Sequence, residues 1–380
     1  MKILHICLAS HYTEGMTYQD NQLPDQNVVD GHDVIVVSDC YKYEGVNLVE
    51  VNEEDCITKS GVRLVRMKYD RIINDFISSK IRKVKRLYDF LVTERPDVIL
   101  FHGVAGFEML SVAKYKMNNS KIKLYVDSHE DYHNSGTVWV SLFFQYRVFN
   151  SFIVSRIRKY VDKFLFLSYE TRDFLVDIYG LKNDELEFYP LGGVVINEKE
   201  KRCYSDNVRR YHGYESTDIL IVHTGKLTAS KKTKELIEAF SQVRSTKLKL
   251  LIIGSIPEEQ KPVLNSLISN DERINFLGWK NADELTEYLC AADIYFQPGT
   301  QSATMQNAIC CGVPVALYPY SSHEPYLKNN GFFVKNSQDY IDVLNEISSN
   351  PQKLLEMSDA SYLIAREILD YKVLAARLYR

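Results

Sequence analysis

Along the chain, short apolar runs alternate with longer stretches whose apolar positions recur at helical spacing. KILHICLA (2–9) reads as a first strand, followed by a loop, a helix ending near Asp30-Gly31, and HDVIVVS (32–38) as a second strand. A helical stretch, IINDFISSKIRKVKRLYDFLVTERP (72–96), precedes the strand DVILFHG (97–103); KLYVDS (123–128) and KFLFLS (163–168) add two more. Alternation of this kind predicts parallel strands covered by helices, a doubly wound α/β domain. Ligands of such sheets sit at the carboxyl ends of the strands, where Ser10, His102-Gly103 and His129 fall.

The pattern breaks at YPLGGVVINEKEKRCYSDNVRRYHGYEST (189–217), rich in charge and turn residues, and then restarts. DILIVHTGKL (218–227), KLKLLIIGS (247–255), RINFLGW (273–279), DIYFQPG (293–299) and PVALYPY (314–320) read as strands. KTKELIEAF (232–240), ELTEYLCAA (284–292) and MQNAICC (305–311) read as helices, the last stopped by Gly312 and Pro314. Two doubly wound domains in tandem are expected, 1–190 and 191–361, with a last helix of about 362–380 packing back on the first. A cleft between them is the expected site.

Composition narrows the function. With 380 residues, 45% hydrophobic and 25% charged, the chain is long enough for two ordinary cores. A net charge of -4 argues against a nucleic-acid binder. Seven cysteines without C-x-x-C spacing fit reduced thiols in a cytoplasmic protein. MKILHICLAS reads as a strand rather than a signal peptide, and no uncharged window is long enough to span a bilayer. The window 138–167 is unusual, because its many aromatic residues are interleaved with five bases against one acid. Such a stretch reads either as a peripheral contact on an anionic membrane face or as a core helix with a solvated side.

HEDYH, His129 to His133, spells the H-E-x-x-H of zinc proteases. That chemistry needs both histidines on one helical face. Here the motif follows a strand and runs into Asn134-Ser135-Gly136, a turn signal, so it reads as a strand-end loop without metal.

GKLTASKKTKELIEAF (225–240), LLIIGS (250–255), FLGW (276–279), AADIYFQPG (291–299) and QSATMQNAICCGVPVAL (301–317) together resemble the family 4 glycosyltransferases, the retaining, glycogen-synthase-like branch with the GT-B fold. The likeness runs over nearly the whole chain and is strongest from Asp218 to Val334. It implies two Rossmann-like domains facing across a cleft and a nucleotide-sugar donor, UDP-linked in preference to GDP-linked. After Gly225, Lys226 takes the place of the family arginine and Lys231 that of the family lysine, the two cations that hold the donor diphosphate as its charge grows. Backbone around Gly278, Trp279 and Lys280 would hold the base edge.

The family's two donor glutamates are missing. The one attending the transferred sugar falls on Gly299, and the one binding the ribose falls on Asn307, whose amide still both donates and accepts. Gln301, Ser302 and Thr304 stand nearby, and Ser302 is placed to cap a helix starting near Ala303, favouring a phosphate. In the first half, Gly15 replaces the family's Gly-Gly pair, and His129 matches a strand-end histidine facing the sugar, flanked by Glu130 and Asp131.

The resemblance implies a hexosyltransferase acting with retention on a polysaccharide, lipid-linked or protein acceptor. It needs no cofactor and, lacking D-x-D, no metal. The rival expectation is a non-catalytic GT-B partner subunit, favoured by the missing glutamates.

Overall fold

The computed structural model describes residues 1–45, 47–104, 106–132, 134–135 and 137–379. It divides into two compact units, Met1–Pro190 with Tyr371–Arg380, and Leu191–Asp370.

The first unit contains β1 (Lys2–Cys7), β2 (Asp33–Ser38), β3 (Tyr41–Glu44), β4 (Asn47–Glu50), β5 (Asp55–Ile57), β6 (Arg63–Arg66), β7 (Val98–His102), β8 (Lys123–Ser128), β9 (Lys163–Phe166) and β10 (Leu186–Phe188). Eight of these form one sheet in the order β10-β9-β8-β7-β1-β2-β6-β5, parallel except for β5, while β3 and β4 form a separate antiparallel hairpin. The strands are apolar on both faces because both faces are covered. Leu4, Ile6, Ile99, Phe101 and Phe164 bury one face under helices. Ile3, Leu100, Leu165 and Tyr189 bury the other against Tyr371, Leu374 and Leu378 of the last helix. Strand order reverses between β1 and β7, so the carboxyl ends of these two strands mark the switch point where ligands of open α/β sheets bind.

Three expectations are corrected here. The helical stretch 72–96 is two helices, Asp75–Ile81 and Leu87–Glu94, separated where Arg82 and Arg86 take left-handed backbone angles, φ 53° and 68°. Strands β3 to β6 fill a region the sequence left unassigned, since each is only three or four residues long. The expected return helix also divides. Residues 362–370 stay with the second unit, where Ser361 bonds the Val313 carbonyl and Tyr362 packs over Gly312, and only 371–380 join the first.

The second unit has β11 (Ile219–Lys226), β12 (Leu248–Ser255), β13 (Ile274–Phe276), β14 (Ile294–Gln297), β15 (Val315–Leu317) and β16 (Gly331–Phe333), all parallel, in the order β13-β12-β11-β14-β15-β16. Its switch point lies between β11 and β14. The supposed break at 189–217 holds a 15-residue helix, Glu198–His212, started by the Asn197 side chain on the Glu200 N–H and ended at Gly213, φ 70°. Its mostly polar surface hid it, because Val208 is the sole buried residue in it.

Candidate functional site

At the carboxyl ends of β11 and β14 two loops meet. The first leaves β11 through Gly225 and Lys226 and turns once through Ala229–Lys231. It is anchored from below by buried His223, which bonds the Phe296 carbonyl at 2.8 Å and Thr233 Oγ1 at 2.9 Å. Burial pushes His223 down to about 4, so it is a neutral strut. The second loop, 298–303, closes onto the first. Thr300 N–H donates to the Ser230 carbonyl at 3.1 Å, and Lys231 Nζ donates to the carbonyls of Thr300 and Gln301, both at 2.9 Å. Lys231 has no carboxylate partner among the described residues, and burial lowers its pKa from the usual lysine value. Lys226 is exposed, its ammonium unpaired among the described residues. The pair is a cationic strand end carrying little compensating charge.

Gly299 is glycine for a steric reason. A Cβ there would lie 2.2 Å from the Ser230 carbonyl oxygen and 2.6 Å from Lys231 Cα. The loop 229–231 thus occupies the space that an acid at this position would need. Gly225, with φ 134°, lies under the Lys231 stem, and Gly278 accepts from the Gly254 N–H at 2.8 Å beside it.

Asn307 is exposed on the helix Thr304–Cys310, its amide without a hydrogen-bond partner among the described residues. The expected cap is shifted. Ala303, not Ser302, is the N-cap, and Ser302 Oγ accepts from Thr304 N–H at 3.3 Å and contacts Thr304 Oγ1 at 3.2 Å. The reason is that Ala303 already has helical angles, φ -57° and ψ -21°. Below, Tyr295 OH joins Thr224 Oγ1 at 2.9 Å and Gln297 Oε1 at 3.1 Å, leaving the buried Gln297 Nε2 without a partner among the described residues. Trp279 is 73% exposed. The Lys280 ammonium turns to Glu284 at 3.2 Å, so only its backbone remains for a base edge.

In the first unit, Gly15 sits in an exposed turn with φ 81°. His129 follows β8 and is half exposed, its Nε2 3.9 Å from Asp127 Oδ1. Asp127 is buried and anchored by Gly103 N–H at 2.8 Å, and its Oδ2 is 2.7 Å from His102 Nδ1, though off the N–H direction. A buried chain continues from His102 to His5 at 3.1 Å and on to Asn27 at 2.8 Å. Burial, then His102, hold His5 down at about 3. Among its described residues HEDYH has no helix, and His133 lies outside them, so the one-turn spacing of a zincin has no setting here.

Glu130 and Asp131, which flank His129, are both engaged by neighbouring groups of the first unit. Asp131 Oδ1 caps the turn at Asn134 N–H, 2.9 Å, and Glu130 is buried, accepting from Tyr179 OH at 2.6 Å. Burial raises Glu130 to about 7. A carboxyl raised above its unfolded value binds its proton more tightly when folded. Its stabilisation is complete below about pH 4.5 and is lost as pH rises through 7. Glu130→Gln keeps the acceptor for Tyr179. We expect no change in melting temperature at pH 4.5 and a rise at pH 8 worth ~1–3 kcal/mol. A fall at pH 8 in calorimetry would contradict this account of the pair.

One cluster escaped the sequence altogether. His11, after β1, places Nδ1 2.6 Å from the buried Asp39 Oδ2, and Tyr69 OH lies 2.7 Å from the same oxygen. Its parts lie 28 and 30 residues apart without a motif, so no spacing rule could join them.

Two doubly wound α/β units in tandem, together with the likeness to solved glycosyltransferase structures over 99% of the chain, show the GT-B fold. Residues 205–363 match the family model described as glycosyl transferases group 1. No curated protein matches the chain. Among solved structures, HepE of Anabaena in complex with UDP is similar at a TM-score of 0.65 and 13% identity, covering 99% of this chain and 98% of that one. Sucrose-phosphate synthase of Thermosynechococcus elongatus is similar at 0.65 and 13%, with 99% and 96% covered. WaaG, a glycosyltransferase involved in lipopolysaccharide biosynthesis, is similar at 0.63 and 14%, with 99% of each chain covered.

Proposed function

We propose that this protein is a glycosyltransferase that moves a sugar from a UDP-sugar to a polysaccharide, lipid-linked or protein acceptor with retention of configuration. The observation that carries the reading is the pair Lys226 and Lys231 at the β11–β14 switch point, inside the segment matching glycosyl transferases group 1. HepE, of similar fold, was solved with UDP, which favours the uridine nucleotide. In this reading Lys226 and Lys231 neutralise the diphosphate as the sugar–phosphate bond breaks, a task for fixed charge rather than metal. The Asn307 amide hydrogen-bonds the ribose, the backbone of 278–280 holds the base, and Gln301, Ser302 and Thr304 line the phosphate side. Gly15 is the residue assigned to backbone approach to the phosphate and His129 the one assigned to the transferred sugar. The leaving diphosphate helps to take the acceptor's proton on the face from which it departs, a route that keeps the configuration.

The second reading, a non-catalytic partner subunit, is favoured by Gly299, where no side chain fits. A thermal-shift series with UDP-, GDP- and other nucleotide sugars, followed by assay of UDP release, separates the two. A ligand bound only to the native state raises its melting temperature. Stabilisation by UDP-sugars with slow UDP release supports the enzyme; stabilisation without release supports the subunit; no nucleotide effect removes the enzyme and leaves the subunit reading.

Peripheral membrane contact is part of the proposal. Trp139 and Phe144 are 71% and 60% exposed on a continuous helical run, Trp139–Ser141 through Ser151–Ile157, and Trp139 stacks on Phe143 at 5.7 Å. Arg156 covers the ring of exposed Phe152 at 4.6 Å. Exposed rings beside bases suit an anionic interface. No helix among the described residues is long and apolar enough to cross a bilayer. The variant Trp139→Ser with Phe144→Ser is expected to lose at least tenfold in binding to phosphatidylglycerol vesicles by cosedimentation. Equal binding by the wild type and the variant would remove the membrane from the proposal.

A further inference from the structure

At the other switch point, in the first unit, the cluster around His11 is built to a degree that packing alone does not require. His11 is a non-glycine residue in the left-handed region, φ 54°, a conformation that costs free energy and persists only when its surroundings hold it. They do so from three sides. Thr13 Oγ1 donates to the His11 carbonyl at 3.0 Å, and Asp39 Oδ2 takes Nδ1 at 2.6 Å. Arg66, itself buried, donates to the carbonyls of Tyr12, Asp39 and Tyr41 and pairs with Glu54 at 2.7 Å. Asp39 is in turn fixed by Tyr69 OH at 2.7 Å and Tyr41 N–H at 3.2 Å. Burial, and Asp39 next, raise the Tyr69 phenol, which therefore stays a donor.

With Nδ1 held, the imidazole has one polar atom left. Nε2 has no partner among the described residues and is not sealed from solvent. Tyr41 and Tyr43 of the β3–β4 hairpin stand edge-on beside the ring, at centroid distances of 5.6 and 6.3 Å. The cluster's guanidinium is already committed to carbonyls and Glu54, so its charge is not offered to an anion. An oriented ring nitrogen between aromatic rings suits a hydroxyl group on a ring that also presents C–H faces.

We propose that His11, oriented by Asp39, with Tyr41 and Tyr43, forms a saccharide-binding site that takes the sugar unit of the acceptor. This rests on the reading of the chain as a glycosyltransferase. His11 is here a binding group that fixes a hydroxyl, and the proton need not pass to it.

The test uses the full chain and methyl glycosides of glucose, galactose, mannose and N-acetylglucosamine as probes. Their binding is read by NMR, together with the ¹⁵N signals of the His11 ring. At least one glycoside is expected to bind and to shift the His11 Nε2 resonance. His11→Ala and, as a second variant that leaves the His11–Asp39 pair in place, Tyr43→Ala should weaken that binding at least tenfold while UDP affinity stays at its wild-type value, and Tyr43→Ala should also keep the wild-type melting temperature. Glycoside binding unchanged in His11→Ala, no glycoside bound by the wild type, or inorganic phosphate rather than a glycoside shifting Nε2 would each overturn the proposal. Because UDP binding is measured separately, its loss in the wild type would instead count against the glycosyltransferase reading.

Discussion

Gly299→Glu, which writes the family acid back into the sequence, is expected to destroy the donor site rather than restore it. The added Cβ would begin 2.2 Å from the Ser230 carbonyl oxygen and 2.6 Å from Lys231 Cα, and both are backbone-linked atoms that cannot turn aside. Overpacking against side chains costs ~1–3 kcal/mol, and backbone yields less readily. The loop 229–231 must then move, carrying Lys231 away from the Thr300 and Gln301 carbonyls it now bonds at 2.9 Å. Gly299→Ala should show most of the loss, because the collision starts at Cβ. Thermal denaturation should show a lower melting temperature in both variants, and UDP titration little binding. A Gly299→Glu protein as stable as the wild type, with tighter UDP binding, would mean that the loop readily vacates the position.

The second large effect concerns the two lysines, which the geometry makes unequal. Lys226 is exposed and unpaired among the described residues, so Lys226→Ala removes charge and nothing else. Lys231 also ties two loops together through Thr300 and Gln301. A charge-assisted hydrogen bond contributes ~1.5–3 kcal/mol, so each change to Ala should weaken UDP binding roughly tenfold to a hundredfold. Lys231→Ala should lower the melting temperature as well, and Lys226→Ala should not. Uridine, which has no phosphate, provides the control: its affinity should survive Lys226→Ala. Equal loss of uridine and UDP binding in Lys226→Ala would show that this lysine does not act on the diphosphate.

Much of the fold was legible because its signal is local. The apolar runs of β1, β2, β7, β8, β11 and β12 are buried on both faces, and the break near residue 190 falls where the chain leaves the first unit. The misses have physical causes. Glu198–His212 buries only Val208, so it carries no apolar stripe to read, and strands of three residues such as β5 and β10 are too short for periodicity. At the site, motif register assigned Lys226, Lys231 and Gly299 to the donor, and the sheet order sets their strands side by side. Register could not show that Gly299 is filled by backbone, a contact between residues 69 positions apart. Nor could it show that Glu130 turns inward to Tyr179, or that His11 meets Asp39, since both depend on how the strands are ordered in the sheet.

Backbone hydrogen exchange with and without UDP tests the central claim most directly, since it reports where the nucleotide binds without assuming an acceptor or a turnover. UDP is expected to slow exchange at residues 225–231, 278–280 and 300–307, the strand-end loops of the second unit, and to leave β13 and β16 at the sheet edges unchanged. Absence of protection in those three segments at saturating UDP would contradict the account.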